Sequence, residues 1–190
     1  MSNFLRENPS KSMTRTMLIA GLVVFISVYT YILGLFGKMG IATDEFNQVW
    51  LSFDVPTFEA FFQKVLDAGD LQTFVWSFSL NVISMIGFLF TFFALSLMLA
   101  RKLPETSKLS KISYAFPVIS ILISVLDIIP SLVFTMAASK LPGISTNVVN
   151  IISGGYVSRV VLLYALMLWM IVAGISLFIA KVKSARSAVG

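Results

Sequence analysis

Asp127 is the one acidic residue set clearly within a long apolar run of this 190-residue sequence. A carboxyl inside a membrane-spanning segment is costly, so it is a functional candidate by default: an acid or base, a ligand contact, or half of an ion pair. Arg159 opens the next apolar run and is its natural counter-charge. Asn81 lies at a depth comparable to Asp127 in an earlier run, where its amide could bridge the two. These three residues form the candidate ligand-binding or interhelical polar cluster. Residue counts offset Asp127 and Arg159 axially by about two helical turns of 5.4 Å. Direct pairing therefore requires a kink or tilt, and Asn81 or water bridges them otherwise. Pro130 supplies a kink, because it removes a backbone hydrogen bond, and Ser131 or Ser124 is placed to satisfy the carbonyl it frees. Tyr29 and Tyr31 in the first run, Thr135 in the third and Tyr164 in the fourth add hydroxyls.

The missing residue types narrow the chemistry. The sequence has no Cys and no His. That excludes disulfides, thiolate nucleophiles, iron–sulfur clusters, Cys- or His-ligated zinc and His-ligated haem. No Gly-rich stretch has phosphate-loop spacing. No catalytic residue, metal site or cofactor is assigned.

The elements that must position the cluster follow from hydropathy. Hydrophobic residues make up 57% of the chain and charged residues 12%, with a mean hydropathy of +0.91. An aqueous domain with that balance would expose large apolar patches. Continuous apolar runs of roughly 20 residues span a bilayer as helices. Four are present, at about 16–36, 71–100, 112–138 and 157–180. The expected fold class is an all-α membrane protein: a four-transmembrane-helix bundle, forming one integral membrane domain over residues 1–190, with short amphipathic helices in the two extracytoplasmic loops.

Basic residues set the expected orientation. Arg6, Lys11 and Arg15 precede the first run, Arg101, Lys102, Lys108 and Lys111 fill the link between the second and third, and Lys181, Lys183 and Arg186 follow the fourth. Asp44, Glu45, Asp54, Glu59, Asp67 and Asp70 outnumber Lys38 and Lys64 in the first long connection, and Lys140 stands alone in the last. The positive-inside rule places both termini in the cytoplasm. The localisation expected is multi-pass in a bacterial cytoplasmic (inner) membrane. The net charge of +5 is split among membrane-flanking clusters, which fits anionic lipid rather than nucleic acid.

In the first connection, Asp54 and Pro56 predict the start of a helix over about 55–68, with Gly69 as its stop. Phe58, Phe61, Phe62, Val65 and Leu66 recur on one face. In the last connection, Leu141-Pro142-Gly143 predicts a turn. A second short helix follows, with Ile144, Val148, Ile151 and Ile152 as its apolar set, broken by Gly154-Gly155 before Tyr156 begins the last span.

Asp127 within a span, Pro142 in a turn, an apolar linker helix and Arg159 at the next span resemble a group of uncharacterised bacterial four-span membrane proteins. Those proteins carry an Asp-x-x-Glu-Asn motif in the third span and a basic residue opening the fourth. This chain keeps the aspartate as Asp127, while Pro130 and Ser131 stand where the motif has Glu and Asn. The resemblance implies the architecture and draws attention to Asp127 and Arg159; it implies no reaction.

The leading functional reading is a non-enzymatic integral membrane protein, acting as an accessory or interaction subunit or as a lipid-binding module. Its partners are the lipid bilayer and a bound lipid or another membrane protein subunit, with no nucleic acid. The alternatives are a membrane enzyme acting on a lipid through Asp127, and a subunit of an oligomeric channel or transporter. Against a conduit, the inner halves of the first, second and fourth spans are almost wholly apolar.

Overall fold

A computed structural model describes residues 2–104, 108–137 and 143–187. Among them the chain forms α1 (Ser2–Glu7), α2 (Lys11–Lys38), α3 (Thr43–Leu51), α4 (Val55–Asp67), α5 (Leu71–Lys102), α6 (Lys108–Ser113), α7 (Phe116–Ala137) and α8 (Thr146–Ser187), with no strand. Helices α2, α5, α7 with the α6 segment before it, and α8 are long and apolar enough to cross a membrane. The protein is an all-α four-helix membrane protein.

The spans pack in series. Helix α2 lies along α5, α5 along α7 and α7 along α8, while α2 and α8 share no extended contact among the described residues. This open arc buries its two middle helices more than its two ends. Gly21 and Gly87 let α2 and α5 touch backbone to backbone. A Cβ on Gly87 would lie 2.6 Å from Phe25 N, and one on Gly21 would lie 2.7 Å from Thr91 N. Gly34 and Gly37, nearer the end of α2, have open space beside them.

One end of the arc is stitched by Arg101, at the end of α5. Its guanidinium donates to Leu5 O through Nε and Nη2, at 3.0 and 2.8 Å, and to Pro9 O at 2.8 Å. This basic residue therefore has a structural task besides its place in a membrane-flanking cluster: it holds the α1–α2 turn. At the same end, Trp169 Nε1 of α8 donates to Ser113 Oγ at 3.1 Å.

The opposite end is closed by α3 and α4. Asp54 caps α4 as its sequence predicts, accepting from Thr57 N at 3.0 Å, and Gly69 past its end has φ +76°. Phe58, Phe61, Phe62 and Val65 are all buried. They face the bundle, where Phe62 stacks on Phe134 of α7 with ring centroids 4.9 Å apart.

At this end, two features differ from the sequence reading. Helix α3 has no counterpart in it, because a nine-residue segment carrying Asp44, Glu45 and Asn47 is too short and polar to stand out in a hydropathy profile. It folds because Trp50, 4% exposed, inserts among Phe58, Phe62, Phe78 and Phe134. The separate amphipathic helix expected in the last connection is also absent. Residues 146–152 are instead the opening turns of α8, which runs unbroken through Gly154 and Gly155. Lys140 and the Leu141-Pro142 part of the expected turn lie outside the described residues.

Candidate functional site

Helix α7 presents Asp127 and Ser131 one turn apart on a single face, and Pro130 stands between them. Pro130 leaves the carbonyl of Leu126 without its helical donor. Neither expected serine takes up that carbonyl. Ser131 Oγ donates to Asp127 O at 2.8 Å, and Ser124 Oγ donates to Ser120 O and to Met85 O at 3.1 and 3.3 Å. Leu126 O faces α8 instead, where a Cβ on Gly155 would lie 2.9 Å from it and 2.4 Å from Pro130 Cγ. Glycine at 155 is what allows α8 to approach α7 this closely.

That approach decides the polar cluster. Arg159 Nη1 donates directly to Asp127 Oδ1. The axial offset expected from the sequence disappears, since α8 begins at Thr146 and Arg159 lies well inside it rather than in a first turn. Asn81 of α5 donates from Nδ2 to Asp127 Oδ2 at 2.7 Å and lies 3.2 Å from Ser131 Oγ. The structure thus brings Asp127, Arg159 and Asn81 together. Both carboxylate oxygens are engaged, one by each neighbouring helix, and the Asp127 side chain is 10% exposed.

Arg159 is held on a second side by aromatic contact: its Cζ lies 4.8 Å from the centroid of the Tyr156 ring. A cation over a ring face is attracted by the ring quadrupole. The Tyr156 hydroxyl in turn donates to Asn47 Oδ1 of α3 at 2.6 Å. Asn47 and Tyr156 belong to the candidate site, though the sequence alone does not single them out. Asn47 sits on the helix with no hydropathy signal, and Tyr156 reads only as the start of a span.

These side chains line a cavity of about 110 Å³ between the two ends of the helical arc. Tyr29, Ile32 and Leu33 of α2 form one wall, Leu126 and Pro130 of α7 another, and Trp50 of α3 adds to the lining. The cavity does not continue through the bundle. Beyond Asp127, Met85, Phe88, Ile123, Leu166 and Trp169 pack into an apolar core.

Other hydroxyls noted in the sequence lie apart from the cavity or are engaged elsewhere. Tyr164 is 73% exposed on the outer face of α8, and Tyr31 is exposed on α2 beside Trp76. Thr135 donates to Ser131 O at 2.9 Å. Along α5, Ser77 donates to Phe74 O, and Ser84 is buried without a partner among the described residues. Of Ser77, Asn81 and Ser84, Asn81 alone is seen to bond across helices. No group of His, Cys, Asp and Glu residues suited to a metal ion occurs among the described residues.

The arrangement suits binding better than proton transfer. Both oxygens of the Asp127 carboxyl already have donors, an amide on one and a guanidinium on the other, while the cavity beside it joins apolar walls to a polar floor. No protein-family model, curated protein or solved structure matches the chain.

Proposed function

We propose that this chain is a non-enzymatic integral membrane protein that binds a lipid in the cavity between α2 and α8. One observation carries the reading. Among the described residues, the only two charged side chains lining the cavity, Asp127 and Arg159, are paired at its floor, and the cavity lies at the gap where the helical arc does not close. A ligand with an apolar tail can reach such a site sideways from the bilayer, keeping its tail against Ile32, Leu33 and Leu126 while its polar end meets the floor. The volume suits a headgroup or a short stretch of chain; an engineered cavity of about 150 Å³ takes up benzene.

The alternatives have less support. As an acid or base for lipid chemistry, Asp127 would need a free oxygen, and both of its oxygens have donors. A conduit would need polar positions beyond Asp127, where the apolar core lies.

The same proposal includes the orientation, with both chain termini and the Arg101 end of the bundle on the cytoplasmic side of a bacterial inner membrane, and α3 and α4 on the outer side. Basic residues near Arg101 and acidic residues on α3 and α4 support it. Kinship with the four-span group carrying the Asp-x-x-Glu-Asn motif is a further part of the proposal.

Native mass spectrometry from mild detergent tests the lipid reading. Wild type should retain a lipid that Ile32→Trp, which fills the cavity, does not. Ile19→Trp, on the outward face of α2, should retain it. Equal retention by all three proteins would place the lipid elsewhere and sink the reading.

A further inference from the structure

We infer that the cavity selects an uncharged lipid alcohol, of the diacylglycerol or long-chain isoprenoid alcohol type, over a lipid with a phosphate head. The inference rests on the lipid reading above and deepens it. Asp127 and Arg159 contribute opposite charges in direct contact, so the lining is electrically neutral. A phosphate drawn to Arg159 would stand beside the Asp127 carboxylate, and two anions sharing one guanidinium in a low-dielectric site repel each other strongly. An uncharged head meets no such opposition.

The hydrogen-bonding groups favour a hydroxyl. Arg159 has five N–H donors in total. One of them, on Nη1, is on Asp127, and the buried Nε has no partner among the described residues. The Arg159 side chain lines the cavity and is 22% exposed, so its guanidinium has room to donate to an oxygen acceptor as well as to Asp127. Tyr29 also lines the cavity, and its hydroxyl can both donate to and accept from an alcohol. A lipid alcohol supplies both donor and acceptor without adding charge, while its chain occupies the gap between α2 and α8. Head and tail of such a molecule therefore match the two kinds of wall the cavity has.

Purified full-length protein in mild detergent, checked for folding by gel filtration and thermal melting, is mixed at equal concentrations with dioleoylglycerol, geranylgeraniol or dioleoylphosphatidate. Native mass spectrometry then reads the retained lipid. Wild type is expected to retain at least one of the two alcohols about tenfold or more over phosphatidate, and the alcohol retained identifies the source. Asp127→Asn, which leaves Arg159 without its counter-charge, should raise phosphatidate retention by at least about tenfold, equivalent to ~1.4 kcal/mol. Asp127→Asn with Arg159→Gln, neutral again, should lose that gain. Phosphatidate retained by wild type as well as the alcohols would overturn the neutral-head inference and leave the lipid reading standing. No lipid retained by wild type above the Ile32→Trp background would overturn both. Should Asp127→Asn not fold, the wild-type ratio of alcohol to phosphatidate decides the inference.

Discussion

Gly155 lies so close to Pro130 that a Cβ on it would stand 2.4 Å from the proline Cγ. This approach of α8 to α7 is what lets the Arg159 guanidinium reach Asp127 directly. A proline and a glycine, each unfavourable inside a helix by itself, are matched here as surfaces. The ring fills the space that the missing side chain leaves.

Gly155→Ala should therefore lower stability, by about 1–3 kcal/mol of overpacking. Gly154→Ala has open space beside it and should be neutral or stabilising by up to ~1 kcal/mol through helix propensity. Thermal melting of the two variants in detergent checks the contrast. Equal behaviour would mean that the α7–α8 contact is not tight.

Breaking the ion pair from one side should be costly. Arg159→Gln or Asp127→Asn leaves a buried charge uncompensated, typically a loss of about 3–5 kcal/mol. Replacing both should cost less than the two single losses added together, because neither charge then remains. A double-mutant cycle measures the coupling, and strict additivity would argue against a direct pair.

The backbone contact between α2 and α5 makes a separate prediction. Gly87→Ala would push against Phe25 N and should loosen the first span from the bundle, whereas Gly34→Ala has nothing near it. Limited proteolysis within residues 39–42 should quicken in the first variant and not in the second.

Helix α3 depends on contacts distant in sequence. Tyr156→Phe removes its hydrogen bond to Asn47 and should cost about 1 kcal/mol, raising amide exchange over residues 43–51. Trp50→Ala, which empties the middle of the aromatic cluster, should cost about 3–5 kcal/mol. Exchange over α3 unchanged in Trp50→Ala would mean that α3 is held by something other than this packing.

Orientation can be read with single cysteines, since the chain has none of its own. A membrane-impermeant maleimide added to intact cells should label Asp44→Cys and spare Lys11→Cys. Labelling reversed between the two positions would invert the proposed topology.

Four spans, the Asp54-capped helix and the identity of the intramembrane polar residues are legible in the amino-acid sequence, because each depends on local properties: apolar runs of bilayer length, a capping residue, a charge where charge is costly. The sequence also names Asp127, Arg159 and Asn81 as partners, but its axial offset sets direct contact against bridging by Asn81 or water without deciding between them. Only the tertiary structure decides between them. Gly154-Gly155 reads locally as a break, yet packing of Gly155 on Pro130 keeps α8 continuous and carries Arg159 to Asp127. Likewise Asn47, Trp50 and Tyr156 become site residues through contacts between distant segments. Local propensity determines which helices form; burial between those helices determines where they end and which polar groups meet.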